Sequence, residues 1–224
     1  MIKTRHLVKT FRDGDTETRV LKGVDFHARS GEFIAIMGRS GAGKSTFLYQ
    51  MSLLDDPSEG EIVIDGRDTH TMSAEEKTAF RLTRCGYVFQ DYALLPELTA
   101  EENVVLSLLM QSIPSADAYA TAHDALARVR MSHRLHSLPS RLSGGEQQRV
   151  SIARAIAHKP AILFADEPTA NLDNESSSAV MDIFQGLHAL GQTLIMVTHE
   201  EQYAHRAGRI VHMDDGMIVS IETV

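Results

Sequence analysis

Phe33-Ile34-Ala35-Ile36-Met37-Gly38-Arg39-Ser40-Gly41-Ala42-Gly43-Lys44-Ser45-Thr46 is the stretch on which the fold turns. Its first five residues form an apolar run with the length and composition of a fully buried strand. A glycine-rich loop follows, and Lys44 to Leu54 reads as a helix. Between them stands the pattern G-x-x-x-x-G-K-[ST]. Glycines let the backbone curl so that successive N–H groups converge on a phosphate, where a Cβ would obstruct them. Lys44 brings a point charge to the terminal phosphates, Ser45 offers its hydroxyl to Mg²⁺, and the helix points its positive end at the anion. Chance would produce the pattern in about one chain of this length in a hundred, without regard to a flanking strand and helix.

Outward from this loop, Ile2 to Val8 and Thr18 to Phe26 read as an antiparallel unit joined through Asp13-Gly14-Asp15. Further apolar runs at Glu61–Ile64, Tyr87–Phe89, Ala161–Ala165 and Thr193–Val197 alternate with helical patterns, which implies a mostly parallel α/β sheet. Between about Glu97 and Lys159 strand signals are missing. Ala118, Ala122, Ala125 and Val129 recur there at helical spacing, so this part is expected to be a helical insertion. Arg209–Met213, Asp215-Gly216 and Met217–Ile221 form a hairpin pattern.

The whole chain of 224 residues, 43% hydrophobic, is long enough to bury a substantial core. Lys+Arg 22 against Asp+Glu 30 leaves a net charge of -8, which argues against a broad nucleic-acid footprint. A single cysteine, Cys85, cannot form an internal disulfide and fits a reducing compartment. No signal-peptide pattern is visible in Met1 to Asp15, and no apolar run approaches the ~18 residues that cross a bilayer. The chain is therefore expected to be soluble by itself.

Three further groups fall at the ends of buried strands, the edge at which such sheets bind ligands. Asp166 and Glu167 close the run Ile162–Ala165. Asp166 suits Mg²⁺, and Glu167, one residue on, suits the orientation or deprotonation of a water attacking a phosphate. Gln90 follows Tyr87–Phe89 and can sense metal and water; His199 follows Thr193–Thr198 and can donate to a phosphate. Leu142-Ser143-Gly144-Gly145-Glu146-Gln147-Gln148-Arg149 opens a long helix with Val150, Ala153 and Ala157 on one face. Ser143 and Glu146 have capping-box spacing, and the glycines would leave the first-turn N–H groups open to an anion.

Taken in this order, the phosphate loop, Gln90, the Leu142–Gln148 segment, Asp166-Glu167 and His199 resemble the ATP-binding-cassette ATPases, over essentially all of the chain. That resemblance implies a P-loop fold with a mostly parallel core sheet, an antiparallel β subdomain and a helical subdomain. It implies one domain over residues 1–224, with the helical part at about 97–159 and the rest at about 1–96 and 160–224. ATP and Mg²⁺ are the implied cofactors. Phe11 and the residues Gly38, Arg39, Ser40, Gly41, Ala42, Gly43, Lys44, Ser45 and Thr46 would hold ATP; Ser45, Gln90 and Asp166 would hold Mg²⁺. Lys44, Gln90, Glu167 and His199 would serve the reaction. Ser143, Gly144, Gly145 and Glu146 would face the ATP of a second copy in a head-to-tail homodimer, with Asp173 crossing the interface. Phe11 stands where Tyr is more usual, Arg39 where many relatives have Pro, Glu146 where many have Gln, and Asn171 where Ala is common. None removes a group the chemistry requires, and Arg39 adds positive charge near the phosphates.

Leu53–Gly60 and Gln90–Pro96 resemble the MacB/LolD-like group, whose members drive separate permeases with few membrane helices from the cytoplasmic face of the bacterial plasma membrane. Drugs, peptides, lipoproteins or haem are the implied cargo, with a fainter likeness to haem-exporter ATPases. Tyr92, Leu94, Leu95 and Leu98 follow Gln90 and would receive a permease helix, although each could instead pack in the helical part. DNA-repair and ribosome-acting cassettes fit poorly, since the chain has neither a coiled-coil insertion nor a second cassette. A regulatory cassette that signals through a membrane partner to cell-wall hydrolases is the remaining alternative. The eleven histidines read as scattered surface groups and the ten methionines as core filling, leaving Mg²⁺ as the only metal.

Overall fold

A computed structural model describes residues 1–224. Ten strands and seven helices build two sheets with helices between and around them. In chain order these are β1 (Ile2–Asp13), β2 (Thr16–Ala28), β3 (Phe33–Met37), α1 (Lys44–Met51), β4 (Glu59–Ile64), β5 (Arg67–Asp68), α2 (Ala74–Arg84), β6 (Cys85–Val88), α3 (Ala100–Leu109), α4 (Ser115–Arg128), α5 (Gly144–Ile156), β7 (Ile162–Asp166), α6 (Asn174–Ala189), β8 (Thr193–Val197), α7 (Glu201–Ala204), β9 (Arg209–Asp214) and β10 (Met217–Thr223).

The central sheet has the order β10-β9-β3-β8-β7-β6, parallel except for the terminal hairpin strand β10. Its middle strands are apolar on both faces because both are covered. Phe33, Ala35, Leu163, Ala165, Leu194 and Met196 face a core shared with α3–α6. Ile34, Ile36, Ile162, Phe164, Ile195 and Val197 face a second core, where Phe47, Leu48 and Met51 of α1 meet the other sheet. Phe26 and Phe47 lock that junction edge to face at 5.4 Å.

That other sheet, β2-β1-β4-β5, is antiparallel. It contains the run Glu61–Ile64, expected among the parallel strands: β4 pairs with β1, Ile2 opposite Ile64 and Thr4 opposite Ile62. The physical signal was alternation, since Ile62 and Ile64 are buried while Glu61 is exposed. α1 also stops three residues short of Leu54, where Leu53 turns left-handed at φ 60. The C-terminal hairpin turns on Asp215 and Gly216, both at positive φ, as its Asp-Gly pair requires.

Between β6 and β7 the chain is helical. Ala118, Ala122, Ala125 and Val129 are all buried, as are Val150 and Ala153 on α5 and Ala157 just beyond its end. Small side chains let α3, α4 and α5 approach closely. Capping boxes start α2 at Ser73/Glu76, α3 at Thr99/Glu102 and α5 at Ser143/Glu146. The histidines are less scattered than their spacing suggested. Glu101, buried on α3, meets His123 Nε2 at 2.7 Å and His136 Nδ1 at 2.6 Å, pinning α4 and the following loop to α3. Burial pushes the Cys85 thiol up to about 12, so it behaves as a core side chain.

Candidate nucleotide site

The glycine-rich loop leaves β3 at Met37 and enters α1 at Lys44. Gly43 caps the helix in the left-handed region, φ 91, and supplies no side chain to the first-turn N–H groups. Those donors are left to an anion. Gly41, φ 82, has open space wherever a Cβ would stand, so the rim of the cradle is clear. Lys44 is buried, and its Nζ donates to Gly38 O at 2.9 Å and Arg39 O at 3.1 Å, which holds its charge across the loop. Gly38, Arg39, Ser40 and Lys44 line a cleft of about 580 Å³ together with Glu167, His199 and His212.

Asp166 ends β7 beside this loop and is buried. Burial pushes its carboxyl above the ordinary aspartate range, more than the Ser45 hydroxyl and Lys44 charge lower it. Ser45 Oγ donates to Asp166 Oδ1 at 2.9 Å. A desolvated carboxylate paired with a hydroxyl is a hard-oxygen set, which fits Mg²⁺. Tyr87 Oη is buried nearby without a hydrogen-bond partner, and burial followed by the Asp166 charge raises its phenol.

Glu167 departs from strand geometry. Its φ of 43 is left-handed, unusual for a residue with a side chain, and its N–H donates to Val197 O at 3.0 Å. This twist turns the carboxylate towards the end of β8, where Oε2 lies 3.3 Å from His199 Nδ1. Lys44, Asp166, Glu167 and His199 thus gather at one sheet edge. His212 joins them from β9, next to Met37 in register; nothing in the sequence singled it out.

Other expected residues are not brought to this cleft. Gln90 is exposed, and its carbonyl accepts from Asn171 Nδ2 at 3.3 Å. Phe11 is 47% exposed on β1, with Lys9 Nζ 5.1 Å from its ring. At the start of α5 the capping box is formed: Glu146 Oε2 accepts from Ser143 N at 2.9 Å, and Ser143 Oγ from Glu146 N at 3.2 Å. Burial alone would raise the Glu146 carboxyl; the Ser143 N–H and Arg134 guanidinium outweigh it and lower it.

The two glycines at this helix end also have close neighbours within the chain. A Cβ on Gly144 would fall 2.9 Å from Tyr92 Oη, and one on Gly145 would fall 2.5 Å from Ser176 Oγ. Asp173, expected at an interface, caps α6: it accepts from Ser176 N at 2.8 Å and Ser176 Oγ at 3.0 Å, and these bonds lower its carboxyl.

Tyr92 and Ala93 are both left-handed, φ 60 and 48. Their carbonyls accept from the Arg154 guanidinium of α5, 2.9 Å at Tyr92 O. Asn103 of α3 grips the rest of the loop, donating to Leu95 O, Leu98 O and Thr99 O and accepting from Leu95 N. Sequence reading missed both residues: the carbonyls that Arg154 serves lie far back along the chain, and Asn103, though its partners are near in sequence, meets only backbone groups of an irregular loop that no spacing pattern marks. Leu94 packs against the helical core, Tyr92 and Leu98 are half-buried, and only Leu95, 43% exposed, is left open as a docking side chain.

The family described as ABC transporter matches residues 21–170. The chain belongs to that family. The lipoprotein-releasing system ATP-binding protein LolD of Aquifex aeolicus is 43% identical over 200 residues, 89% of each chain. The macrolide export ATP-binding/permease protein MacB of Brucella melitensis is 42% identical over 223 residues, which span all of this chain and 34% of that one. This cassette therefore covers about a third of MacB and most of LolD. A dimeric ATP-binding cassette, MJ0796, solved in a post-hydrolysis state with ADP and Pi, superposes with a TM-score of 0.93 at 37% identity, covering 100% of this chain and 98% of that one. The fold is that of an ABC ATPase, and the cassette belongs with the MacB and LolD ATP-binding subunits.

Proposed function

We propose that this cassette is the ATP-hydrolysing motor of a MacB/LolD-type exporter, working as a homodimer on a separate permease at the cytoplasmic face of a bacterial plasma membrane. The observation that carries the chemistry is the placement of Glu167. Its backbone turns out of the strand direction so that it lines the same cleft as Lys44, with His199 beside it. Water attacks the γ-phosphorus, the bond to the bridging oxygen breaks, and ADP leaves. Glu167 orients that water and takes its proton, while Lys44 and the first turn of α1 hold the phosphate charge. His199 donates to the γ-phosphate. Ser45 and Asp166, with Gln90, would hold Mg²⁺, which would supply neutralisation of the phosphate charge.

Residues 38–46 and Phe11 hold the nucleotide of their own copy. Ser143, Gly144, Gly145 and Glu146 cover the nucleotide of the other copy, and Asp173 lies along the seam. The dimeric MJ0796 cassette supports this arrangement. The helices of 97–159 are read as one moving part of a single domain over 1–224, with Leu95 at the surface presented to the permease. The names of the relatives favour a macrolide-like drug or a lipoprotein as cargo; haem rests on sequence likeness alone.

Glu167→Gln tests the motor. It should bind ATP, accumulate as a closed dimer in light scattering, and lose turnover by about 100-fold or more. Retained turnover would remove Glu167 from the reaction. Vesicles holding the permease distinguish the output: ATP-dependent cargo movement supports export, and turnover without movement supports the regulatory alternative.

A further inference from the structure

Behind the helix that starts at Ser143, away from the phosphate loop, lies a second cleft of about 470 Å³. The last turn of α4 brings Arg128 to it, the left-handed turn beyond brings Arg130, φ 61, and α5 brings Arg149. No carboxylate of the chain pairs with any of the three. Arg5, Arg67, Arg84, Arg134, Arg206 and Arg209 each meet a carboxylate within 3.3 Å, while Arg19, Arg29, Arg39, Arg81, Arg141 and Arg154 meet none; what sets this cleft apart is that three arginines without a carboxylate line one space. The one acid in the wall, Asp182, is held by Arg206 at 2.6 Å. Three unpaired guanidiniums thus converge in a chain whose net charge is -8.

The floor is apolar. Ile156, Ile183 and Leu187 line it, and Leu190 at its edge is 80% exposed. Gly186 faces the same space from within α6, and a Cβ there would meet nothing within 4 Å. Glycine inside a helix is unfavourable relative to alanine, yet here it keeps the groove open where a side chain would enter. A concave, mostly apolar wall with a few convergent polar groups is the form of a small-ligand site. Guanidinium forks match the oxygens of phosphate or carboxylate.

We infer that this cleft binds an anionic amphiphile, its phosphate or carboxylate head on Arg128, Arg130 and Arg149 and its alkyl chain over Ile156, Ile183 and Leu187. Such a ligand bridges the end of α4 to α6. It also touches the helix that carries the Ser143–Glu146 turn at one end and Arg154 near the other. Bound ligand restrains the movement of the helical part against the core and slows ATP turnover.

The probe is decyl phosphate below its micelle concentration, titrated calorimetrically into the full chain. Decyl phosphate should bind at least tenfold more tightly than decanol or inorganic phosphate, since each lacks one half of the recognition. Replacing Arg128, Arg130 and Arg149 together by Gln should weaken it at least tenfold. Gly186→Leu fills the groove without touching the nucleotide cleft; it should abolish binding while keeping basal ATPase and thermal stability. Lys44→Ala should bind decyl phosphate as wild type does. Unchanged binding in Gly186→Leu, equal binding of decanol, or loss in Lys44→Ala would overturn the assignment. Capture on phosphatidylglycerol vesicles but not phosphatidylcholine vesicles, lost in Gly186→Leu, identifies the bilayer as the source. Binding of free decyl phosphate without vesicle capture identifies a soluble amphiphile.

Discussion

Replacing Arg154 by Met removes a half-buried cation, whose affinity for the proton is lowered by that burial and which has only the Tyr92 and Ala93 carbonyls for partners. A hydrogen bond to a charged group contributes about 1.5–3 kcal/mol, so two of them suggest a gross loss of about 3–6 kcal/mol. Ala93 is exposed and Tyr92 half-buried, so water replaces part of that. Desolvating the guanidinium also costs something that Met recovers. The net loss is then about 2–3 kcal/mol, borne by a loop already held left-handed at two successive residues. That corresponds to roughly a 30–150-fold shift in the opening equilibrium of residues 90–98. Native-state hydrogen exchange should show amides of that segment accelerating by this factor while β3, β7 and β8 keep their protection. ATP affinity of the single protomer should change less than about twofold, because the phosphate loop is untouched, and ATP-driven dimer closure in a Glu167→Gln background should weaken. Arg154→Lys, a point charge without the fork, should restore part of the protection. If Arg154→Met lowers Tm while exchange at 90–98 stays unchanged, Arg154 is a packing residue and the coupling argument fails.

Gly145→Ala would place a Cβ 2.5 Å from Ser176 Oγ and 2.8 Å from Ser176 Cβ; it should lower stability by about 1–3 kcal/mol in urea unfolding, with Ser176→Gly relieving most of the loss. Asp166 has a folded affinity for protons above that of the unfolded chain, so the native state binds more protons and stability falls as pH rises from the ordinary aspartate value through the raised one. Asp166→Asn should therefore raise Tm at neutral pH, and the gain should disappear below the ordinary aspartate range; a gain independent of pH would assign it to something other than ionisation. Leu94→Asp should lower Tm, because Leu94 packs on the helical core, whereas Leu95→Asp should keep Tm and weaken capture of the permease; equal Tm losses would place both side chains in the core.

What was legible in advance was local chemistry. The curled loop before α1, the capping box at Ser143 and Glu146, the Asp-Gly hairpin turn and the helical alanines each depend on residues within a few positions of one another. Their conformations follow from Cβ sterics and from helix-end donors that need partners. Glu61–Ile64 showed its strand character but not its sheet, because alternation reports a half-buried face and says nothing about which strand lies alongside. The Glu101–His123–His136 contact escaped notice for a related reason, since its three groups come from separate segments.

By itself, the amino-acid sequence determined that this chain carries a phosphate-cradling loop of glycine amides and an acid pair at the end of a buried strand, and belongs with the cassette ATPases. Those properties are written in spacing, and spacing survives without a fold. Only the tertiary structure decided that Gly145 is bounded by Ser176, that Arg154 serves two carbonyls sixty residues earlier, that Glu167 leaves the strand direction to meet His199, and that three unpaired arginines share one cleft. Each of these joins backbone or side-chain atoms from distant segments. Which of them meet is set by how the sheets and helices pack, at distances no local pattern encodes.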